Sequence, residues 1–415
     1  MNNRKKVVLI GASMRVRPFV KALQDDYPEK YEIAAVLDID FAKMKGFNES
    51  LDIDVPMYDD FQKMCENINP ELAIITTVDY YHAEYTVKCL DNKINCIVEK
   101  PLCVNAAQCR EIYEAQKRNP EVYAVTSHNA RYHASIQKIK ELLNNGAIGK
   151  VLSVNYKEML DQKHGTSYFR RWNRRKKLSG GLQLHKSSHH FDKLNWLLDS
   201  HAVKLVASGK LLAYGKDASE FRGIKCSTCP HADKCASFVD RIGDDYFNQL
   251  FFKYQNDEDF YSPDLCVFSP EIDIEDFFTA SFEYANGIPV SYALNAHSNI
   301  EGEDIVIEGK KGRIELIRRN PTTVDENFVA IGEIVNSVKI YRFNQARPEE
   351  FEIITGSGGH GGSDNSLFDD LFGDSPSNIL ASLEDGIQAV LIGCAVNKSL
   401  TTKREVDVQE LLKND

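Results

Sequence analysis

The chain has 415 residues, of which 43% are hydrophobic and 27% charged; that is the balance of a soluble globular protein and enough apolar material for two folded units. Its formal charge of −11 argues against nucleic acid or an anionic membrane surface as the main partner, because both call for a basic face. A local cationic run (Arg170, Arg171, Arg174, Arg175, Lys176 and Lys177) leaves room for a phosphate or carboxylate on a small ligand.

The N-terminus enters an apolar run of only Val7 to Ile10, short of the roughly 7–15 apolar residues of a signal peptide. No stretch approaches the roughly 18 apolar residues of a membrane span. A cytoplasmic location without membrane contact is expected, with the ten cysteines mostly reduced.

From the start to about residue 130, short β-branched runs alternate with helical patterns, as a parallel sheet with crossover helices requires. Strands are expected at Lys6–Ile10, Tyr31–Leu37, Leu72–Thr76, Asn95–Val98 and Tyr123–Ser127, and helices at Val16–Gln24, Asp59–Asn67, His82–Asp91 and Asn105–Arg118. This predicts a doubly wound nucleotide-binding domain over residues 1–130. Residues 131–415 read as an α+β domain. A helix at Ser135–Asn144 precedes alternating strands at Val151–Leu160, Phe277–Ala285, Val290–Ala296, Glu303–Glu308 and Gly312–Ile317. Wide spacing with few helices between predicts a large, open and mostly antiparallel sheet, one face covered by helices and the substrate site and the other open to subunit pairing. Residues 215–270 read as an irregular insertion, Gly356–Ser363 as a flexible loop, and Ser377–Leu400 as a long final helix.

Dinucleotide-binding loops place glycines between a strand and a helix whose N-terminus faces the pyrophosphate. The corresponding stretch is Gly11-Ala12-Ser13-Met14-Arg15, which keeps only the first glycine. Asp38 ends the second strand, where a carboxylate accepts hydrogen bonds from ribose hydroxyls and repels a 2′-phosphate; this favours NAD over NADP. Arg15 and Arg17 weigh mildly the other way.

The fourth strand runs into Val98-Glu99-Lys100-Pro101-Leu102. Glu-Lys-Pro at that point resembles the signature of the Gfo/Idh/MocA family, the glucose–fructose oxidoreductase and inositol dehydrogenase group. Asp79-Tyr80-Tyr81-His82, Asn129-Ala130-Arg131-Tyr132, Gly146-Ala147-Ile148-Gly149, Glu303–Glu315 and Asp385-Gly386 resemble further elements of it, so the likeness spans nearly the whole chain. It implies a cis Lys100–Pro101 bond, a cofactor site that takes in Thr76, Thr77, His82, Glu99, Lys100, Pro101 and Asn129, and a homodimer or homotetramer. Independently of it, oxidising a secondary alcohol needs a base for the hydroxyl proton, and an amine in a partly desolvated pocket has a lowered pKa. Lys100 suits that task.

A second cluster runs Leu184-His185-Lys186-Ser187-Ser188-His189-His190. The family commonly has an acidic residue, three others and then histidine here; His185 stands in the acidic position and His189 in the histidine position. Residues four apart share a helix face, so both rings can enter one pocket, with Lys186 as a further candidate. Arg131, Tyr168, Arg170, Arg171, Trp172, His190 and His360 are the candidate substrate contacts, guanidiniums serving hydroxyls and the indole a sugar face. Cys226, Cys229, Cys235 and Cys266 have spacing that suits a structural zinc, with His231 as a substitute ligand; disulfides or free thiols are the alternative.

The expected function is an NAD-dependent dehydrogenase acting on a secondary alcohol of a sugar, polyol or glycoside. An NAD-dependent glycosidase working by transient oxidation and elimination, and a non-catalytic cofactor or sugar sensor, are the alternatives.

Overall fold

Apolar β-branched runs, buried on both faces, build the first sheet. The computed structural model describes residues 4–243, 248, 253, 262–320, 323–324, 330–331, 334–354 and 362–413. In it β1 (Lys5–Ile10), β2 (Tyr31–Leu37), β3 (Met57–Tyr58), β4 (Leu72–Ile75), β5 (Asn95–Val98) and β6 (Ala124–Thr126) lie in the order β3-β2-β1-β4-β5-β6. Every neighbouring pair is parallel. Strand order reverses between β1 and β4, and such a switch point opens a ligand crevice at the strands' C-terminal ends.

The second sheet has nine strands: β7 (Val151–Asp161), β8 (Ala202–Lys210), β9 (Phe277–Tyr284), β10 (Pro289–Ser298), β11 (Glu301–Gly309), β12 (Gly312–Asn320), β15 (Val335–Arg342), β16 (Glu349–Glu352) and β17 (Val406–Asp407). Their order is β16-β15-β12-β11-β7-β10-β9-β8-β17, with β13 (Thr323–Val324) and β14 (Ala330–Ile331) paired separately. Only β10 and β7 run parallel; the other described pairs are antiparallel. Alternation is strict along β9, and its inward residues meet the helix Ser188–Leu198, where Phe191 packs edge-on against Phe282 with centroids 5.6 Å apart. The final helix, Leu383–Thr402, packs beside it. Outward positions, among them Leu152, Val206 and Phe277, are exposed.

Several elements depart from the sequence expectation. The helix Phe41–Leu51 was not anticipated; Asp40 is its N-cap and accepts the Lys43 N–H at 3.0 Å. The last helix starts at Leu383 rather than Ser377, because Ser382 and Asp385 form a capping box there. Helices Gln162–Arg170 and Ser363–Phe372 and strands β8, β15 and β16 are also additional. The Ser363–Phe372 helix returns to the first sheet: Phe368 meets Phe19 at 5.0 Å and Phe372 meets Tyr31 at 5.3 Å. Phe372 is fully buried, so Phe372→Ala should cost about 3–5 kcal/mol. Chemical denaturation followed by circular dichroism would check this.

Candidate functional site

The crevice at the β1–β4 switch point continues into a cleft of ≈ 1860 Å³ that reaches the second sheet. Small-ligand sites occupy about 300–1,000 Å³, so this one has room for two ligands side by side. At the first-sheet end, Ser13, Met14 and Arg15 line the wall, with Gly11 and Ala12 behind them. Gly11 has φ +100°, and a Cβ there would lie 2.7 Å from the Thr77 nitrogen; only glycine brings this loop so close to the β4 loop. Thr76 donates to the Gly11 carbonyl at 3.0 Å and locks the approach. Ser13 Oγ is buried with no partner, which fits a loop that receives a ligand's hydrogen bonds.

Asp38 stands at the end of β2 facing the cleft, where its carboxylate accepts from the Ala12 N–H at 2.8 Å and pairs with Lys43 at 3.0 Å. Arg15 is not available for a 2′-phosphate: its guanidinium binds Glu99 at 2.7 Å and Asp364 at 3.4 Å. Glu99 also takes the Ser127 hydroxyl at 2.7 Å, and Asn129 donates to Asp364 at 2.6 Å. Glu99, Arg15 and Asn129 thus make a buried brace beneath the following residue, Lys100. His82 spans the carbonyls of Pro101 at 2.7 Å and Thr77 at 3.1 Å, and burial holds its imidazole below the usual range. The Lys100–Pro101 bond is cis.

Lys100 leaves the end of β5 and donates to the His185 carbonyl at 2.9 Å, crossing from the first sheet to the helices on the second. Burial lowers its amine to about 8, against the opposing pull of Glu99 and Asp79. The His185 ring faces Asp79 at 2.5 Å through Nδ1. Burial raises the Asp79 carboxyl and, together with the Lys100 charge, lowers the His185 imidazole. The carboxylate absent from the helix position of His185 therefore comes from the other domain. Asp79 was quoted in a loop motif but not singled out as a site residue; its position after β4 at the crevice was the available signal. His189 borders the same space, with its Nδ1 buried and unpartnered. Gly180 and Gly181, with φ of +69° and +79°, turn the chain sharply before this segment.

Lys186 pairs with Glu158 at 3.2 Å, and His190 donates or accepts at Tyr292 Oη, 2.7 Å away. Burial works against an ionised Glu158, but the cations around it hold its carboxyl well below the usual range. Behind them Lys193 meets Glu303 at 2.5 Å and Arg318 meets Glu303 at 2.9 Å. Glu158 and Glu303 escaped the sequence reading although each sits at an inward position of its strand, β7 or β11, where a charge is out of phase with apolar neighbours. Tyr168, Arg171 and Trp172 line the cleft; Tyr168 binds His164 at 2.9 Å, and Trp172 stands edge-on to His185 at 5.3 Å.

Other candidates lie elsewhere. Arg131 does not line the cleft: it grips Asp192 bidentately at 2.8 and 2.6 Å in the interior, a pairing that fixes the helix Ser188–Leu198 to the segment after β6. Arg170 points away from the cleft too, donating to Cys226 Sγ at 3.2 Å and to the Ser237 carbonyl. Cys226, Cys229, Cys235, Cys266 and His231 surround one small cavity with it. All ten cysteines are free thiols, and among the described residues no group of three or more His, Cys, Asp or Glu is arranged to hold a metal ion. The zinc expectation is not supported by this arrangement, in which the Arg170 guanidinium already lies against Cys226. His360 and the loop before Gly362 lie outside the described residues.

Because Arg131 is 3% exposed and its partner Asp192 fully buried, Arg131→Ala should destabilise the fold by about 3–5 kcal/mol. Urea unfolding of the variant would show a lowered midpoint.

The comparisons agree with this architecture. Residues 5–127 match the NAD-binding Rossmann domain of the oxidoreductase family GFO_IDH_MocA, and residues 140–408 match its C-terminal alpha/beta domain. The Bacillus subtilis strain 168 protein YteT, which bears an oxidoreductase name, is 32% identical over 99% of both chains. Myo-inositol 2-dehydrogenase of Thermotoga maritima is 26% identical over 43% of this chain and 51% of its own. Levoglucosan dehydrogenase in complex with NADH superposes with a TM-score of 0.69 at 16% identity, over 98% of this chain and 99% of that one. With both of its domains matched in order, the chain belongs to the Gfo/Idh/MocA family of NAD-binding oxidoreductases.

Proposed function

We propose that this protein is a dehydrogenase that oxidises a secondary alcohol of a sugar or polyol, with Lys100 as the proton acceptor. The observation that carries the reading is the Lys100 amine, lowered to about 8 at the mouth of the parallel sheet, between a dinucleotide-sized groove and the histidine-bearing wall. The Gly11–Arg15 loop, Asp38, Thr76, Thr77 and the unpartnered Ser13 hydroxyl fit NAD, and Asp38 disfavours NADP. When bound, the nicotinamide supplies the hydride acceptor. The chain's own residues handle the proton. Neutral Lys100 takes it from the substrate hydroxyl, and the His185–Asp79 pair steadies the ammonium that forms. His189 orients the hydroxyl, while Lys186, held by Glu158, keeps the wall in place. Relatives named for inositol and levoglucosan dehydrogenation support a polyhydroxylated substrate.

A cytoplasmic location and pairing of copies through the exposed outer face of the nine-stranded sheet complete the proposal. Light scattering of the purified protein would detect a dimer or tetramer.

Net NADH formation is the direct test, since a glycosidase working by transient oxidation would accumulate none. Only the neutral amine accepts a proton, so kcat/KM for oxidation should rise with pH through about 8 and that for reduction should fall. Lys100→Ala should lose about 10²–10⁴-fold in kcat. The Asp79 charge raises the Lys100 pKa, so Asp79→Asn should move the oxidation limb to lower pH; steady-state pH profiles of both variants would check this.

A further inference from the structure

We propose that the substrate is anionic, a hexuronic acid or an oligosaccharide ending in one, and that Arg171 and Lys177 hold its carboxylate. The inference rests on the dehydrogenase reading and deepens it.

Charge pairing along the cleft wall carries the argument. Carboxylates on the helical wall are paired: Asp79 with His185, Glu158 with Lys186, Glu301 with His164 at 2.8 Å, and Glu271 with both Arg174 and Arg175. Arg171 and Lys177 remain. Both line the cleft and neither forms an ion pair with a carboxylate among the described residues, although the Asp79 carboxylate lies within electrostatic range of Arg171. Arg171 uses only Nε, donating to the Ser167 carbonyl at 3.2 Å, which leaves both Nη groups of the guanidinium for a ligand. A fork of donors and an ammonium lining the same cleft can bind a carboxylate through charge-assisted hydrogen bonds. In a chain of net charge −11, two cations free of ion pairs on the wall of a cleft also draw an anion inward.

The placement suits a sugar acid. Arg171 follows directly on Arg170, whose guanidinium anchors the helix Gln162–Arg170 to the cysteine-lined module. Trp172 comes next and offers an indole to the cleft, edge-on to His185. Lys177 sits on the one-turn helix Lys176–Ser179, which packs beside Asp79–Tyr81. Carboxylate clamp, apolar plate and proton acceptor thus line one cleft. The dinucleotide's diphosphate is expected across the cleft at the loop after β1, leaving these two cations to the second ligand.

The test compares NAD⁺ reduction by galacturonate and glucuronate with reduction by galactose and glucose, which differ from them only at C6. The expected result is a kcat/KM about ten- to a hundredfold higher for the uronates, the worth of one charged hydrogen bond. Arg171→Leu and Lys177→Leu should each lower the uronate-to-hexose ratio about tenfold or more, and added salt should lower it in the wild type. A ratio near one in the wild type, or variants that leave a high ratio untouched, would overturn the inference. So would variants that lose NADH affinity instead, because the cations would then belong to the cofactor. If no sugar of either class reduces NAD⁺, the dehydrogenase reading fails. Calorimetric titration of the NADH complex with galacturonate then decides the anion claim alone: binding lost in Arg171→Leu supports it, and no binding in the wild type sinks it.

Discussion

One amine at the seam between two sheets organises this molecule. Lys100 follows the C-terminal end of a parallel strand, yet its hydrogen bond goes to a carbonyl on the helical layer of the other sheet, and the ring of that same residue is met by Asp79 from the first. Burying an amine, a carboxyl and an imidazole together is costly unless each has a partner. The partners come from both domains, so the cluster is complete only when the domains are docked. Burial and neighbouring charge then bring the amine near neutral pH, where it can accept or release a proton.

Much of the remaining buried polarity holds that seam. Glu99, next to Lys100, is fixed by Arg15 and Ser127, and Arg15 is fixed in turn by Asp364 from a helix that follows β16. The late helix therefore does two things at once: its Phe368 and Phe372 close the core under the first sheet, and its N-terminal carboxylate tightens the loop below the amine. Arg131 and Asp192 play the corresponding part on the other side, tying the segment after β6 to the helix that carries His189 and His190. A shift of either sheet would have to break a buried ion pair, which is expensive in a low-dielectric interior.

The wall opposite the nucleotide loop is built differently. There the chain between β7 and β8 makes short helices broken by glycines, and side chains of mixed charge line the cleft. Short segments held by side-chain pairing adapt to a ligand more readily than a parallel sheet does, which is why loops and short helices on a rigid scaffold commonly carry specificity. Arg170 and Arg171 illustrate the division: neighbours in sequence, one is spent on internal anchorage and the other faces the cleft.

What the sequence determined by itself was local and periodic. Runs such as Val7–Ile10 and Leu72–Ile75 dictate buried parallel strands, the alternation along Phe277–Tyr284 dictates a half-buried antiparallel one, and Glu99-Lys100-Pro101 after a strand marks the reactive end. Pairings between distant residues were not legible. Asp79 and His185 are 106 positions apart and Arg15 and Asp364 are 349 apart, and no period or cap links such residues. Only the tertiary structure decided that Arg131 is an internal staple, that Arg15 is committed to Glu99, and that the four cysteines line one small cavity with Arg170. The physical reason is that a charged side chain's role depends on which partner shares its buried volume, and that volume exists only after both sheets have packed.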